Sequence, residues 1–245
     1  MRIGFIGAGA IGGTLARHLA NLGHQVSIAN SRGPQSLTTV ATEIGATSVS
    51  VVDAAHAGEI VFIAIPTKAV ADLPRALFAN VPRSVVIIDI GNYHPELRDG
   101  RIDAIDGGML DSQWVAQQIG RPVIKAFNNI LAKSLLEKGV PRGTKGRIAL
   151  SVAGDVLDAK AAVLRLVDEL GFDPVDGGDL GDSWRQQPGT PAYCRDLEAA
   201  ALERALAEAD RSRIAEVRAE QEARIRMSIR NQGRGKSIRG TSGNS

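Results

Sequence analysis

The sequence predicts an α/β fold built on a parallel sheet and extended at its carboxyl end by helix. Short, continuous apolar runs alternate with segments of helical periodicity, the pattern of β-α-β units in which strands are buried on both faces. A Gly-x-Gly-x-x-Gly stands between the first apolar run and the first helical segment. From Leu197 onward the apolar positions thin out and basic residues accumulate, which sets that part off as an appendix.

The elements follow in order. Arg2–Ile6 reads as a strand ending at Gly7, and Ile11–Leu22 as a helix, with apolar residues at 11, 15, 19 and 22 and a stop at Gly23. Gln25–Ala29 is the second strand, and Ser36–Ile44 a helix closed by Gly45. Ile60–Ile65 is a buried strand stopped by Pro66, which cannot donate to a central ladder. A helix over Ala69–Phe78 and a strand over Ser84–Ile90 come next. Beyond a polar, glycine-rich stretch (Asn92–Asp111), a short helix spans Ser112–Ile119, a strand Pro122–Ala126 and a helix about Ile130–Lys138. Two final strands, Arg147–Ala153 and Asp173–Asp176, flank a helix over Asp155–Leu170. Trp184–Cys194 is an irregular connection, Leu197–Ile229 one long amphipathic helix, and 231–245 a Gly/Ser/basic tail expected to be disordered. The implied units are a dinucleotide-binding domain over 1–180, the loop and helix over 181–230, and the tail.

Composition narrows the function classes. The 245 residues are 44% apolar with a net charge of +2, so wholesale disorder is excluded. A single cysteine, Cys194, excludes a disulfide framework and any Cys-cluster metal site, and no histidines stand at metal-ligand spacing, so no metal is expected. Aromatics at 4% argue against a base-stacking nucleic-acid platform. No apolar run reaches the roughly 20 residues of a membrane span, and a cytoplasmic homo-oligomer without nucleic-acid or membrane partners is expected. Residues 211–245 carry +6 and the remainder −4, an asymmetry read as a solvated basic helix.

The chemistry begins at Gly7-Ala8-Gly9-Ala10-Ile11-Gly12. Gly7 allows a tight turn out of the strand, Gly9 lets backbone approach a pyrophosphate, and Gly12 lets helix and strand pack closely. The amide groups that open the helix then face the phosphate charge. NAD-binding proteins place Asp or Glu at the end of the second strand to hold the ribose 2′-OH. Here that position reads Asn30-Ser31-Arg32-Gly33, with no carboxylate before Glu43. Arg32 offers a planar fork suited to a phosphate and Ser31 a hydroxyl donor, which favours NADP(H).

With GxGxIGG, then AN-SRGP after the second strand, then AIP at the end of the Ile60–Ile65 run, the chain resembles the F420-dependent NADP oxidoreductases. It is also similar to STEAP-type reductase domains. The resemblance is strongest over 1–130 and extends loosely to DGGDL at 176–180. It implies a doubly wound parallel Rossmann sheet, to which the helical C-terminal extension is added, and hydride exchange between NADP(H) and a second ring, coenzyme F420 or a flavin. It also implies that Ala8, Ile11, Ser31, Arg32, Ile65 and Pro66 surround NADP while Gly91 and Asn92 border the nicotinamide. The segment from Trp184 onward departs from that family and resembles a bacterial subgroup with a C-terminal extension.

Three segments project from the carboxyl ends of the strands, where ligands sit in open α/β sheets: Ile65–Lys68, Asp89–His94 and Lys125–Asn129. A carbonyl or imine acceptor benefits from a nearby acid, and Lys125, Tyr93 and His94 are the available donors. A flavin-like acceptor relies more on stacking and exclusion of water. Asn128, Asn129, Trp184 and Tyr193 are candidate substrate contacts, with Gln186–Tyr193 a candidate lid. The leading reading is an NADPH oxidoreductase with a deazaflavin or flavin-like acceptor. Its rivals are a reductase of a small carbonyl or imine using Lys125 or Tyr93, and a non-catalytic NADPH-binding redox sensor.

Overall fold

The computed structural model describes residues 1–239. Six strands, β1 (Arg2–Ile6), β2 (Gln25–Ala29), β3 (Thr47–Ser48), β4 (Ile60–Ile63), β5 (Val86–Asp89) and β6 (Ile124–Lys125), form a parallel sheet in the order β3-β2-β1-β4-β5-β6. The order reverses at β1, so the crevice between the carboxyl ends of β1 and β4 is the switch point where such sheets bind ligands.

Alternation along the strands divides the core. Ile3, Phe5, Phe62 and Ile88 face one side, beneath α1 (Ala10–Asn21) and α2 (Thr38–Ile44), with Phe5 and Phe62 stacked at 4.4 Å between ring centroids. Ile6, Val61, Ile63 and Ile87 face the other, beneath α3 (Val51–Ala55) and, beyond the short α4 (Asp103–Asp106), α5 (Asp111–Ile119). After α6 (Ala132–Glu137), β7 (Ala149–Val152) and β8 (Asp173–Asp176) pair in parallel around α7 (Leu157–Glu169). An antiparallel bridge between Lys125 and Ala153, with N–H···O distances of 2.8 and 2.9 Å, joins this pair to β6.

Two expected helices differ. The segment expected to be helical over Ala69–Phe78 is a 3₁₀ turn over Thr67–Asp72, because Pro74 lacks an amide donor and pushes Leu73 into extended backbone at ψ 145°. The expected single helix over Leu197–Ile229 is broken. It comprises α8 (Ala199–Ala207), a 3₁₀ turn over Arg211–Arg213, and α9 (Ile214–Arg239). Asp210 makes the break: its side chain accepts the Ser212 N–H at 2.9 Å and starts a new helix. The tail expected to be disordered from 231 is helical as far as Arg239, and 240–245 lie outside the described residues.

The extension packs in two pieces. α8 covers β7 and β8 through Leu202, Ala205 and Leu206. The first half of α9 lies on the main body, where Ile214 meets Leu110 and Trp184, and the Arg218 guanidinium sits 4.9 Å from the Tyr93 ring centre. Ile225, Met227 and Ile229 further along are exposed. Among the described residues no helix is long and apolar enough to cross a membrane.

Candidate active site

The glycine-rich turn sits where the sheet topology places a ligand. Gly7 leaves β1 at φ 110°, and a Cβ there would meet the Ala64 carbonyl at 2.3 Å. At Gly12 a Cβ would lie 2.8 Å from that of Ala64, so helix and sheet approach closely. Gly9 is different: a Cβ built there meets nothing within 4 Å, because the residue faces the open cleft. It caps α1 without a side-chain hydrogen bond, and no acidic residue occupies the first turn. The helix amides therefore lack a side-chain partner, and the cradle fits a dinucleotide pyrophosphate. Gly9→Val is expected to leave the urea midpoint nearly unchanged while sharply weakening NADPH binding in a titration, since the new side chain fills only the ligand's space.

At the end of β2, Asn30 spends its side chain on the turn. Its Oδ1 accepts the Arg32 N–H at 2.9 Å and its Nδ2 donates to Ser36 Oγ at 3.0 Å. Ser31 and Arg32 are exposed, and Arg32 makes no ion pair among the described residues. The cleft itself has a volume of about 440 Å³. Gly9–Gly12, Ile65, Pro66, Gly91, Asn92, His94, Asn128 and Tyr193 are among the residues that line it.

Of the three expected proton donors, only His94 lines this cleft. Lys125 is buried beneath it: Nζ donates to Asp89 Oδ2 at 2.9 Å and to the Gly91 carbonyl at 2.5 Å. Asp89 also accepts Gly91 N–H at 2.8 Å and Ser112 Oγ at 2.7 Å, so the pair holds the Gly91 loop rather than reaching a substrate. Tyr93 is fully buried in the core under α5. Its hydroxyl donates to Asp106 Oδ1 at 3.0 Å and accepts Ile102 N–H at 2.9 Å, and burial pushes its pKa up to about 12.

Three expectations for substrate contact also change. Trp184 packs in the small core with Leu110 and Ile214, outside the cleft. Asn129 is buried and does not line the cleft; its backbone carbonyl accepts the Cys194 N–H at 2.9 Å. Gln186–Tyr193 is no free lid: Gln186 is buried, and Gly189 is pinned under α9 by a 3.1 Å bond to Gln221 Oε1. Asn128 does line the cleft. Its amide exchanges hydrogen bonds with Asn92 (3.0 Å) and Gln186 (2.7 and 2.9 Å), tying two strand-end loops to the extension. Phe127 and Cys194, the two non-glycine residues at positive φ (58° and 52°) among the described residues, both line this cleft. Such backbone persists only where its surroundings fix it, and it concentrates at functional sites.

His94 is held from three sides. Its N–H donates to Asp99 Oδ2 at 2.8 Å, Nδ1 lies 3.1 Å from Glu222 Oε1, and Nε2 lies 3.4 Å from the Tyr193 hydroxyl. Burial lowers the imidazole pKa below its ordinary value, the Glu222 hydrogen bond opposes that shift, and Arg98 adds to it. Burial likewise raises the Tyr193 and Cys194 pKa values, keeping phenol and thiol protonated at neutral pH. Glu222 and Arg98 are site residues that sequence reasoning missed. Glu222 follows Ile214 and Arg218 at four-residue intervals, and a carboxylate on that inward stripe of α9 is the one signal pointing to it.

The fold and its switch-point cleft are those of a Rossmann-class dinucleotide-binding protein. Residues 2–93 match the family described as NADP oxidoreductase, coenzyme F420-dependent, and the chain belongs to that family. The hypothetical protein SMa0349 of Sinorhizobium meliloti is 33% identical, with a TM-score of 0.67 over 81% of this chain and 96% of its own. A protein of Arthrobacter sp. FB24, provisionally described as an F420-dependent NADP reductase, is 25% identical with a TM-score of 0.60 over 75% of this chain and 87% of its own. The curated Escherichia coli K12 protein YjhV is 49% identical over 85 residues, which span 35% of this chain and 55% of that protein.

Proposed function

We propose that the protein transfers a hydride between NADP(H) and a deazaflavin such as coenzyme F420, or a flavin-like ring. The observation that carries this reading is the cleft, whose lining brings together the glycine-rich turn, the apolar Ile65 and Pro66, and the protonatable imidazole of His94. The exposed Ser31 and Arg32, in a turn without a carboxylate, support NADP(H) over NAD(H). The family description and the Arthrobacter relative support the deazaflavin.

Bound NADPH supplies the hydride, and the reduced acceptor takes up one proton besides. Gly9 and the α1 amides would hold the pyrophosphate, Ser31 and Arg32 the 2′-phosphate, and Pro66 and Gly91 would border the nicotinamide. His94, as imidazolium, gives the proton from Nε2 and is recharged from solvent. Reduction of the acceptor therefore falls as pH rises through the His94 pKa, which lies below the ordinary histidine value, and the reverse reaction rises. Stopped-flow rates in the two directions check this; parallel profiles would remove His94 from proton transfer.

The deciding experiment is anaerobic oxidation of NADPH by the purified protein with coenzyme F420, FMN and FAD as acceptors. Rapid transfer to one of these rings is expected. No transfer to any, with NADPH still bound tightly, would move the function to a small carbonyl or imine substrate. The His94–Glu222 contact favours that second reading, because such substrates depend on a proton donor.

A further inference from the structure

We propose that Glu222 of α9 is the positioning residue that makes His94 a proton carrier in the cleft, so that the C-terminal helix is part of the active site. This deepens the hydride-transfer reading and rests on it. Glu222 is 1% exposed, an unusual place for a carboxylate without structural or chemical use. Its Oε2 accepts the Glu96 N–H at 2.9 Å, and its Oε1 faces His94 Nδ1 at 3.1 Å.

These two contacts fix the imidazole. A carboxylate only accepts, so Nδ1 must carry hydrogen, and Nε2 is left toward the Tyr193 hydroxyl and the cleft. Neutral His94 thus presents a lone pair at Nε2, and the imidazolium presents one proton there. Transfer breaks Nε2–H and leaves the Nδ1–H on Glu222 unchanged. The other polar or charged groups facing the ring are Arg98 and Asp99 of its own segment and Tyr193 and Cys194 of the strand-to-helix connection. The glycine-rich turn, which also lines the cleft, contributes no charged side chain.

Glu222→Gln tests this. The Glu96 N–H still requires an acceptor, so the new amide turns its oxygen there and offers NH₂ to Nδ1. That forces hydrogen onto Nε2 and removes the charge that favours the imidazolium. In ¹⁵N NMR of the four histidines, with His94→Gln as the assignment control, wild-type His94 is expected as the Nδ1–H tautomer. In Glu222→Gln the signal should shift to the Nε2–H form and titrate at lower pH. Single-turnover NADPH oxidation should slow about tenfold or more near neutral pH, with its pH limb moving in step. Arg226→Ala, a change on the same helix as Glu222 that removes only the exposed ion pair to Glu96 of the segment after β5, should move neither readout. An unchanged tautomer and titration in Glu222→Gln would overturn the proposal, as would the same shift in Arg226→Ala. The NMR comparison needs no acceptor. A wild-type protein that passes hydride to none would sink the hydride-transfer reading while the spectra still decide whether Glu222 fixes the ring.

Discussion

Lys125→Ala is expected to destabilise the protein by about 3–5 kcal/mol, the usual cost of removing one partner from a buried ion pair. Lys125 and Asp89 side chains are each 2% exposed and 2.9 Å apart. Without the ammonium, Asp89 keeps Gly91 N–H and Ser112 Oγ but loses its countercharge. A second carboxylate suffers too. Asp111, fully buried beside the pair, has its pKa raised by burial and restrained by Lys125, so the loss pushes it further up. Urea denaturation measures the effect. The double variant Asp89→Asn/Lys125→Met removes both charges and should recover most of the stability, because a buried pair is worth little more than a well-packed neutral replacement. The double variant also separates structure from chemistry. If Lys125 only props the Gly91 loop, the refolded protein retains most of its hydride transfer; a folded but inactive protein would return Lys125 to the role of proton donor.

The placement of Lys125 shows what the sequence can reveal. Lys125 stands at a strand end in a segment that projects toward the cleft, and both facts are visible in the chain. Whether Nζ points outward or back beneath Gly91 depends on Asp89, which is 36 positions away on the neighbouring strand. The strands themselves were readable because a parallel sheet buries both faces, and glycine or proline marks their ends. The two-residue β3 and the single-turn α3 carry too little periodicity to be seen. Pro74 and Asp210 were visible signals, a helix breaker and a helix start, and reading them would have corrected both helices.

The proposed cofactor half of the site is local in sequence and the proposed proton half is not. Gly7, Gly9 and Gly12 stand in one turn, and Ser31 and Arg32 in the next, so spacing alone assembles them. His94 and Tyr193 are 99 positions apart, and Glu222 is 128 from His94. No periodicity links such residues; only the packing of α9 against the segment after β5 does.

The turn after β2 gives the other large effect. Arg32→Ala should weaken NADPH by about 1.5–3 kcal/mol, the value of a charged hydrogen-bond contact, or roughly tenfold to a hundredfold in Kd. NADH should be nearly unaffected, because it lacks the 2′-phosphate. The fold should not register the change, since Arg32 is exposed and the turn is held by the Asn30 side chain and the Arg32 backbone N–H, which alanine keeps. The difference between cofactors should shrink with added salt, as expected for an exposed ionic contact. Placing an acid in the same turn, Ser31→Asp with Arg32→Ala, should repel the phosphate and offer an acceptor to the ribose 2′-OH, reversing the preference toward NADH. Fluorescence titration with both cofactors at two salt concentrations reads all of this. Equal losses for NADPH and NADH in Arg32→Ala would mean that the guanidinium does not touch the 2′-phosphate, and the cofactor preference would then have to come from Ser31 or from the loop backbone.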